Sequence, residues 1–458
     1  MSKLPTNQIL QGDCVEVLKE FPENSVDEVV TDPPYGIGFM GKDWDKALPS
    51  KEAFEQIFRV LKPGALAFVT SSPRQDVLWR MMAMLESVGF ELKQSFISWI
   101  YKSGFPKAYD VSKGIDKKLD KKRVRDRVIH TRSELYGSRP WLIKAKKDGI
   151  YFGESDEPTS ILAKKWEGWK GQKSLKPALE CILMVNKPMS EKTIVDNVLK
   201  HGVGAINING TRIPFSSNVD LDSSKVGFRG VSSEGSHEGY KRKAHEDYVP
   251  FPSDSRGRFP ANLIVSDGAL DNGKITKSPN SYKRKSNGFN VSCYGKGMGE
   301  SEGKESLNYG DIGGQSRYFD LDAWSRHHGF LDVAKASKSE RDMGITSERE
   351  KYSDFGLKSR MENGEVTNQR TNTQAQKAKN FHPCVKPVKL MAYLVELGCP
   401  EGGVVLDPFC GSGSTLIAAH RLNRKWIGVE IDSEYAEITR HRLSVLNQKL
   451  TDFSTLNV

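Results

Sequence analysis

The sequence predicts an α/β protein: a mostly parallel sheet with helices on both faces, carrying a long loop-rich insertion. Three observations carry that prediction. Short apolar runs alternate with amphipathic helical patterns through the first hundred residues, and the alternation returns after Phe381. Between them, from about Thr211 to Asn380, Ser, Gly, Lys, Asn and Asp dominate and apolar runs are few. The 458 residues include 41 glycines and 37% hydrophobic residues, enough for a substantial core but loop-rich for a single body.

The elements follow in order. Ile9 and Leu10 lead into Gly12 and Asp13, then into the helical pattern CVEVLKEF. SVDEVVTD reads as a buried strand ending on a polar tip. EAFEQIFRVL is an amphipathic helix stopped by Lys62-Pro63-Gly64, and ALAFVTSS is the next strand. FELKQSFISWIYK and ALECILMVNKP supply two more strands. In the polar region, FPANLIV and GFLDVA are the clearest apolar runs, and no fixed-period repeat is visible. That region is too long for a passive connection, so it is a loop-rich recognition domain or a partly disordered tether. After Phe381, Pro387 opens a helix with Leu390, Met391, Leu394 and Val395 on one face, ending at Gly398. VVLDPF is a strand, Gly413 onward a helix, KWIGVEID a strand. SEYAEITRHRLSVL is a closing helix capped by Asp432 or Ser433.

Composition narrows the class. No stretch approaches the roughly 18 apolar residues of a membrane span, and MSKLPTNQIL lacks the order of a signal peptide. The six cysteines are scattered without a CxxC pair, which argues against a zinc ribbon or a disulfide framework and for a reducing cytoplasm. The net charge of +10 points to a polyanionic partner. Fifteen Lys and Arg against five Asp and Glu fall between Lys102 and Lys147, an excess equal to that of the whole chain. The densest run there contains Lys121, Lys122, Arg123 and Arg125. It is either a solvated helix face or a surface that contacts phosphates.

Two motifs carry chemistry. Asp32-Pro33-Pro34-Tyr35 stands where a buried strand runs out, the place where open α/β sheets bind ligands. An exocyclic base amine is a poor nucleophile because its lone pair is delocalised into the ring. A carboxylate accepting one N–H, and a backbone carbonyl accepting the other, localise that pair toward an incoming methyl group. Asp32 offers the carboxylate. Pro33 offers a carbonyl held by the following Pro34, and Tyr35 a ring for a flipped-out base. The plainer alternative is a turn in which Tyr35 only packs. The second motif, Asp407-Pro408-Phe409-Cys410-Gly411-Ser412-Gly413, joins a strand to a helix, with Glu430 closing the next strand. Glycines there let a ligand approach the backbone, and an acidic residue ending the next strand suits ribose hydroxyls. A packing turn is the alternative, and a nicotinamide dinucleotide fits less well because the pattern is not GxGxxG.

In this order GDC (12–14), DPPYG (32–36), HPCVKP (382–387), LDPFCGSGST (406–415) and GVEID (428–432) resemble the beta-type DNA amino-methyltransferases, in which the catalytic motif precedes the cofactor motif. The resemblance covers roughly the first hundred residues, the strand near Cys181 and the last eighty. It implies a Rossmann-like, seven-stranded, mostly parallel sheet, circularly permuted so that strands from both chain ends meet at its centre. It implies a catalytic half at 1–104 and 177–210, a basic insertion at 105–176, a target-recognition region at 211–380 and a cofactor-binding half at 381–458.

By the same resemblance the cofactor is S-adenosyl-L-methionine. Asp407, Pro408 and the backbone from Phe409 through Gly411, Ser412 and Gly413 would line its methionine part. Glu430 would take the ribose hydroxyls and Asp13 approach the adenine. His382 and Lys386 would sit at the methionine end. Asp32, Pro33, Pro34 and Tyr35 would form the base pocket, with Phe39 on its wall. Cys410 and Ser414 depart from close variants of the pattern, neutrally. The polar stretch before His382 has no counterpart, so target specificity does not carry over.

The resemblance thus implies a restriction–modification type of enzyme that methylates double-stranded DNA, as a monomer or homodimer, in the cytoplasm of a bacterial or phage-infected cell. Asp at position 32 favours the N6 amine of adenine over N4 of cytosine. A cytosine-C5 enzyme would need a thiolate nucleophile, and Pro383-Cys384 stands at the wrong place for one. A non-catalytic DNA-binding protein that keeps the fold is the reading of another class, against which the intact motifs speak. No convincing carboxylate–lysine nuclease cluster is present. His327 and His328 read as structural or surface residues rather than metal ligands, and the reaction needs no metal.

Overall fold

Eight strands form one sheet in the computed structural model. The structure describes residues 4–38, 43–102, 109–123, 127–130, 151–154, 156–171, 175–218, 220–221, 254–272, 276–277, 281–283, 305–307, 312–330, 338–342, 345, 349–351, 357–362, 365–370, 376–378, 380, 382 and 384–454. The strands are β1 (Gln8–Gln11), β2 (Val26–Thr31), β3 (Leu61–Ser71), β4 (Ile97–Ile100), β5 (Leu179–Asn186), β6 (Leu263–Val265), β7 (Val404–Asp407) and β8 (Lys425–Glu430). Their order is β1-β8-β7-β2-β3-β5-β4-β6. Every pairing from β1 to β3 is parallel, β5 is antiparallel to both neighbours, and β4 and β6 are parallel. The join between the chain ends is direct, with Val405 opposite Glu28 and Leu406 opposite Val29.

The longer helices of this body are α1 (Cys14–Lys19), α2 (Lys51–Val60), α3 (Gln75–Val88), α4 (Ile194–His201), α5 (Leu321–His327), α6 (Val388–Gly398), α7 (Ser414–Arg421) and α8 (Ser433–Ser454). Strand alternation divides the core between the two sheet faces. Val30, Leu66 and Phe68 pack with apolar residues of α5, α6 and α7. Val29, Ala67 and Val69 pack with those of α1, α2 and α3. In α2 the buried residues Ala53, Phe54, Ile57 and Val60 share one face, and the Ser50 hydroxyl caps its start by accepting from the Ala53 amide at 3.3 Å. Asp432, not Ser433, caps α8: its carboxylate accepts from the Glu434 and Tyr435 amides at 2.8 and 3.2 Å.

Three expectations change. Lys62-Pro63-Gly64 does not separate helix from strand: β3 starts at Leu61, and the register with β2 shifts between Val26 and Glu28, so the extra residues form a bulge. The sheet has eight strands rather than seven, because the LIV of FPANLIV extends the edge beside β4, Ser98 opposite Leu263. For the same reason parts of the region 211–380 belong to the sheet and its core. Trp324 of α5 is fully buried, donates its indole N–H to the Gly210 carbonyl at 2.8 Å, and meets Tyr393 of α6 edge-on at 5.1 Å. Asp322 forms an ion pair with buried Lys389. An apolar face on a short helix is worth most where it reaches the shared core, and α5 carries one. Most of the tract from Lys274 to Asn308 lies outside the described residues.

Residues Gly104–Ala178 cluster as a second compact unit, and the rest of the chain forms the first. Within the second, the helices Val111–Lys118 and Ile161–Lys165 accompany an antiparallel pair, Arg127–His130 with Tyr151–Glu154. Arg123 is its internal tie. The guanidinium lies 3.2 Å from Asp116 and 2.9 Å from Asp156, and donates to the Asp156 carbonyl at 2.6 Å. Its side chain is 11% exposed. Arg123, expected from the sequence among the phosphate contacts, has its donors engaged inside the unit by Asp116, Asp156 and Ser112. Lys121 and Lys122 are exposed, and Arg125 lies outside the described residues.

Candidate active site

The site assembles along the edge where the parallel strands end. Asp13 follows β1, Glu430 ends β8, Asp407 ends β7 and Asp32 follows β2. These four strands are neighbours in the sheet, so four carboxylates line up along one edge. The register also brings a fifth from a strand running the other way. Thr31 stands opposite Val69, Thr70 opposite Ile182, and Glu180 opposite Trp99. Because β5 is antiparallel, its beginning rather than its end lies at this edge, and Glu180 arrives beside Asp32.

Around Asp32 every side-chain oxygen has a partner. Oδ1 accepts from the Tyr35 hydroxyl at 2.7 Å and from the Thr70 hydroxyl. Oδ2 lies 2.8 Å from the Lys386 ammonium, which is also 3.1 Å from Oε2 of Glu180 and 3.3 Å from the Tyr35 hydroxyl. Burial opposes the charge on Lys386, but Asp32 and Glu180 outweigh it and raise its pKa well above the ordinary lysine range. Burial and the Asp32 charge push the Tyr35 phenol up as well, so it serves as a neutral donor. The loop is fixed from below by Asp45, whose carboxylate accepts from the Tyr35 and Gly36 amides at 2.7 and 3.0 Å. Pro33 is buried, which leaves its carbonyl on a short rigid segment between Asp32 and Pro34.

The second half of the site surrounds the glycine loop. Glu430 accepts the Gly411 amide on one oxygen at 2.8 Å and the Asp432 amide on the other at 2.9 Å. Each oxygen keeps a lone pair for a further donor. Burial raises its pKa, with the two backbone amides opposing. Asp407 accepts from the Thr31 hydroxyl at 2.7 Å and the Phe409 amide at 3.2 Å. Burial nonetheless pushes its carboxyl up to about 7, the hydrogen bond from Thr31 opposing. A cationic ligand beside it would favour the ionised form. Gly411 and Gly413 have φ of +51° and +77°. Behind them the buried Arg442 guanidinium donates to the Ser412 carbonyl and, at 3.2 Å, to the Glu340 carbonyl.

The sequence-predicted residues sort as follows. Asp32, Pro33, Pro34 and Tyr35 stand in one pocket with Lys386. Asp407, Pro408, Phe409, Gly411, Ser412, Gly413, Glu430 and Asp13 follow along the same edge. Asp13 caps α1, accepting the Val15 amide at 2.8 Å. His382 packs edge-on to Tyr435 at 4.5 Å and stacked on Trp44 at 6.5 Å. Burial pushes its pKa down to about 4, so the ring is neutral near pH 7. Lys386 precedes α6, its carbonyl accepting from Ser414 beside the glycine loop, and its side chain reaches Asp32 and Glu180. The Tyr35 ring is also not simply open for stacking, since the Lys386 ammonium stands 5.5 Å from its centroid. Phe39 lies outside the described residues.

Burial pushes the Cys384 thiol up to about 12, which leaves it no thiolate for attack on a ring. Among the described residues no group of three or more His, Cys, Asp or Glu is placed to hold a metal ion. His328 stacks on Trp324 at 4.4 Å. No described helix is long and apolar enough to cross a membrane.

Sequence reasoning missed Glu180, Thr70, Asp45 and Arg442. Glu180 had a signal, a charged residue opening the apolar run CILMV, but its meaning depended on the strand's direction. The others are ordinary residue types whose roles appear only with the register and the loop geometry.

Comparison with known proteins finds a family model of DNA methylases, N6_N4_Mtase, matching residues 26–441. The type II methyltransferase M2.DpnII of Streptococcus pneumoniae is 39% identical over 75 residues, 16% of this chain and 28% of that protein. M.HindIII of Haemophilus influenzae is 45% identical over 67 residues, 15% of this chain and 22% of that one. The aligned segments thus span under a third of either relative. Among solved structures, the cytosine-N4-specific PvuII DNA methyltransferase aligns over 95% of this chain and 85% of its own, at 14% identity and a TM-score of 0.37.

Proposed function

This chain belongs to the N6_N4_Mtase family of DNA methylases, and we propose that it transfers a methyl group from S-adenosyl-L-methionine to the N6 amine of adenine in double-stranded DNA. The observation that carries the reading is the Asp32 carboxylate, poised beside the Pro33 carbonyl and one strand away from Asp407. An entering amine would donate one N–H to Asp32 and the other to Pro33, freeing its lone pair. The bound cofactor supplies a methyl group on a sulfonium, already activated for displacement. As the N–C bond forms, Asp32 is the acceptor for the proton that the nitrogen sheds. The neutral Tyr35 phenol and Thr70 hydroxyl keep the carboxylate oriented.

The residues present suit that cofactor. Glu430 has spare acceptor capacity for two hydroxyls, Asp407 is a buried carboxylate whose charge a cation would favour, and Gly411 and Gly413 hold the tight turn at positive φ, packed on His382 and Thr439. His382, neutral and packed on Tyr435, walls the same loop. Adenine is preferred over cytosine because Asp rather than Ser opens the Pro-Pro-Tyr motif. N4 of cytosine is the outcome that would keep the mechanism and change the substrate. A non-catalytic DNA-binding role is disfavoured by the complete acceptor set. The test is the methylated nucleoside that the protein makes in DNA.

Phosphate contact by the second unit is part of the same reading. With Arg123 spent internally, the exposed pair Lys121 and Lys122 remains. Replacing both with glutamine is expected to weaken binding of unrelated duplexes about equally. The slope of log affinity against log salt should fall by roughly 0.9 per lost contact. A slope equal to that of the wild type would make these lysines solvated surface only. Target choice we assign to the parts of 211–380 that the sheet and α5 do not use, since a pocket for one flipped base does not read its neighbours.

A further inference from the structure

Both oxygens of the Asp32 carboxylate have partners before any base arrives, Oδ2 through its ion pair with Lys386. Tyr35 and Thr70 donate to Oδ1, and the Lys386 ammonium sits 2.8 Å from Oδ2. A carboxylate neutralised by an ammonium is a weak acceptor for an amine proton, so the proposed chemistry requires the ammonium to withdraw. The pocket holds a place for it. Oε2 of Glu180 is buried, lies 3.1 Å from the ammonium, and accepts no hydrogen bond of proper geometry. The other oxygen, Oε1, is held by the Tyr101 hydroxyl at 3.3 Å, which fixes the carboxylate's orientation. The Lys386 backbone is pinned, its carbonyl accepting from the Ser414 hydroxyl at 2.8 Å, so only the flexible side chain needs to move.

We propose that Glu180 is a positioning residue for methyl transfer: it takes the Lys386 ammonium away from Asp32 as the base amine enters, so that Asp32 meets the amine as a free carboxylate. The inference rests on the amino-methyltransferase reading above. No bond is made or broken in this exchange; an ammonium changes partner and a hydrogen-bond acceptor is uncovered. The local charge supports it. Asp32, Glu180 and Lys386 together carry one net negative charge, and after the ammonium has moved that charge is concentrated on Asp32. Without Glu180 the ammonium stays on Asp32 and the pair is neutral. Without both Glu180 and Lys386, Asp32 again carries the single charge alone.

The double variant therefore separates this role from a structural one. Methyl transfer is measured with long unmethylated duplex DNA and labelled S-adenosyl-L-methionine, and cofactor affinity by calorimetry. Glu180→Gln is expected to lower kcat by about 10- to 100-fold, with the DNA KM and cofactor Kd within about twofold. Glu180→Asp, which keeps the charge, should recover most of the rate. Glu180→Gln combined with Lys386→Gln should be faster than Glu180→Gln alone, a coupling opposite in sign to two independent losses. Losses that multiply, or a Glu180→Gln enzyme with wild-type kcat, overturn the proposal while leaving the methyltransferase reading intact. A wild-type protein that methylates no amine in DNA overturns both.

Discussion

Asp32→Ala is expected to lower the methyl-transfer rate by on the order of 10³-fold, while cofactor affinity changes by less than about twofold. In the proposed mechanism the carboxylate is the acceptor that frees the amine's lone pair, and no other side chain named there would replace it. Glu180 is held by Tyr101 beside the ammonium, and in the same proposal the Pro33 carbonyl takes the other N–H. Removing the side chain also frees the Tyr35 and Thr70 hydroxyls, which hold its Oδ1. The cofactor groups lie along β7 and β8, and their hydrogen bonds run to Thr31, Phe409, Gly411 and Asp432 rather than to Asp32. Single-turnover kinetics with labelled cofactor, paired with calorimetry, separate the two effects. An Asp32→Ala protein that has lost its cofactor affinity would show that the two halves are wrongly divided.

Gly411→Val should produce the reverse pattern, with cofactor affinity falling by about 10- to 100-fold, the equivalent of roughly 1–3 kcal/mol of backbone strain. The residue has φ of +51°, a conformation that a β-branched side chain adopts poorly. A Cβ there would stand 2.8 Å from Nε2 of His382. Relief requires moving the loop, yet the loop is tied at the same residue: the amide donates to Glu430 at 2.8 Å and the carbonyl accepts from Thr439 at 2.8 Å. Any shift therefore displaces Glu430, the proposed ribose acceptor, together with the backbone that lines the site. Circular dichroism should show the fold retained, because the sheet and α7 pack through other residues. Undiminished affinity in this variant would remove the glycine loop from the cofactor site.

Much of this was legible in the sequence, for physical reasons that can be named. A buried parallel strand announces itself as an apolar run, so VDEVVT and VVLD could be placed. Their polar ends then mark the sheet edge, which is why Asp32, Asp407 and Glu430 could be placed along it. The edge strand at Leu263–Val265 could not, since three apolar residues in a polar region look alike as edge strand or as loop anchor. Side-chain direction was also hidden. Lys386 stands four residues after His382, and only the fold shows that two carboxylates, one following β2 and one on β5, draw its ammonium toward them. The ion pairs of Arg123 were hidden for a related reason: within a run of cations, only the fold decides which one meets internal carboxylates.

The central claim is that the chain methylates an amine of a DNA base, and the product tests it most directly. Duplex DNA incubated with the protein and isotope-labelled S-adenosyl-L-methionine would be digested to nucleosides and analysed by mass spectrometry. The account predicts labelled N6-methyladenine, absent when Asp32→Ala replaces the wild type. Labelled N4-methylcytosine would keep the mechanism and correct the base. Label in 5-methylcytosine, or in no nucleoside at all, would contradict the account.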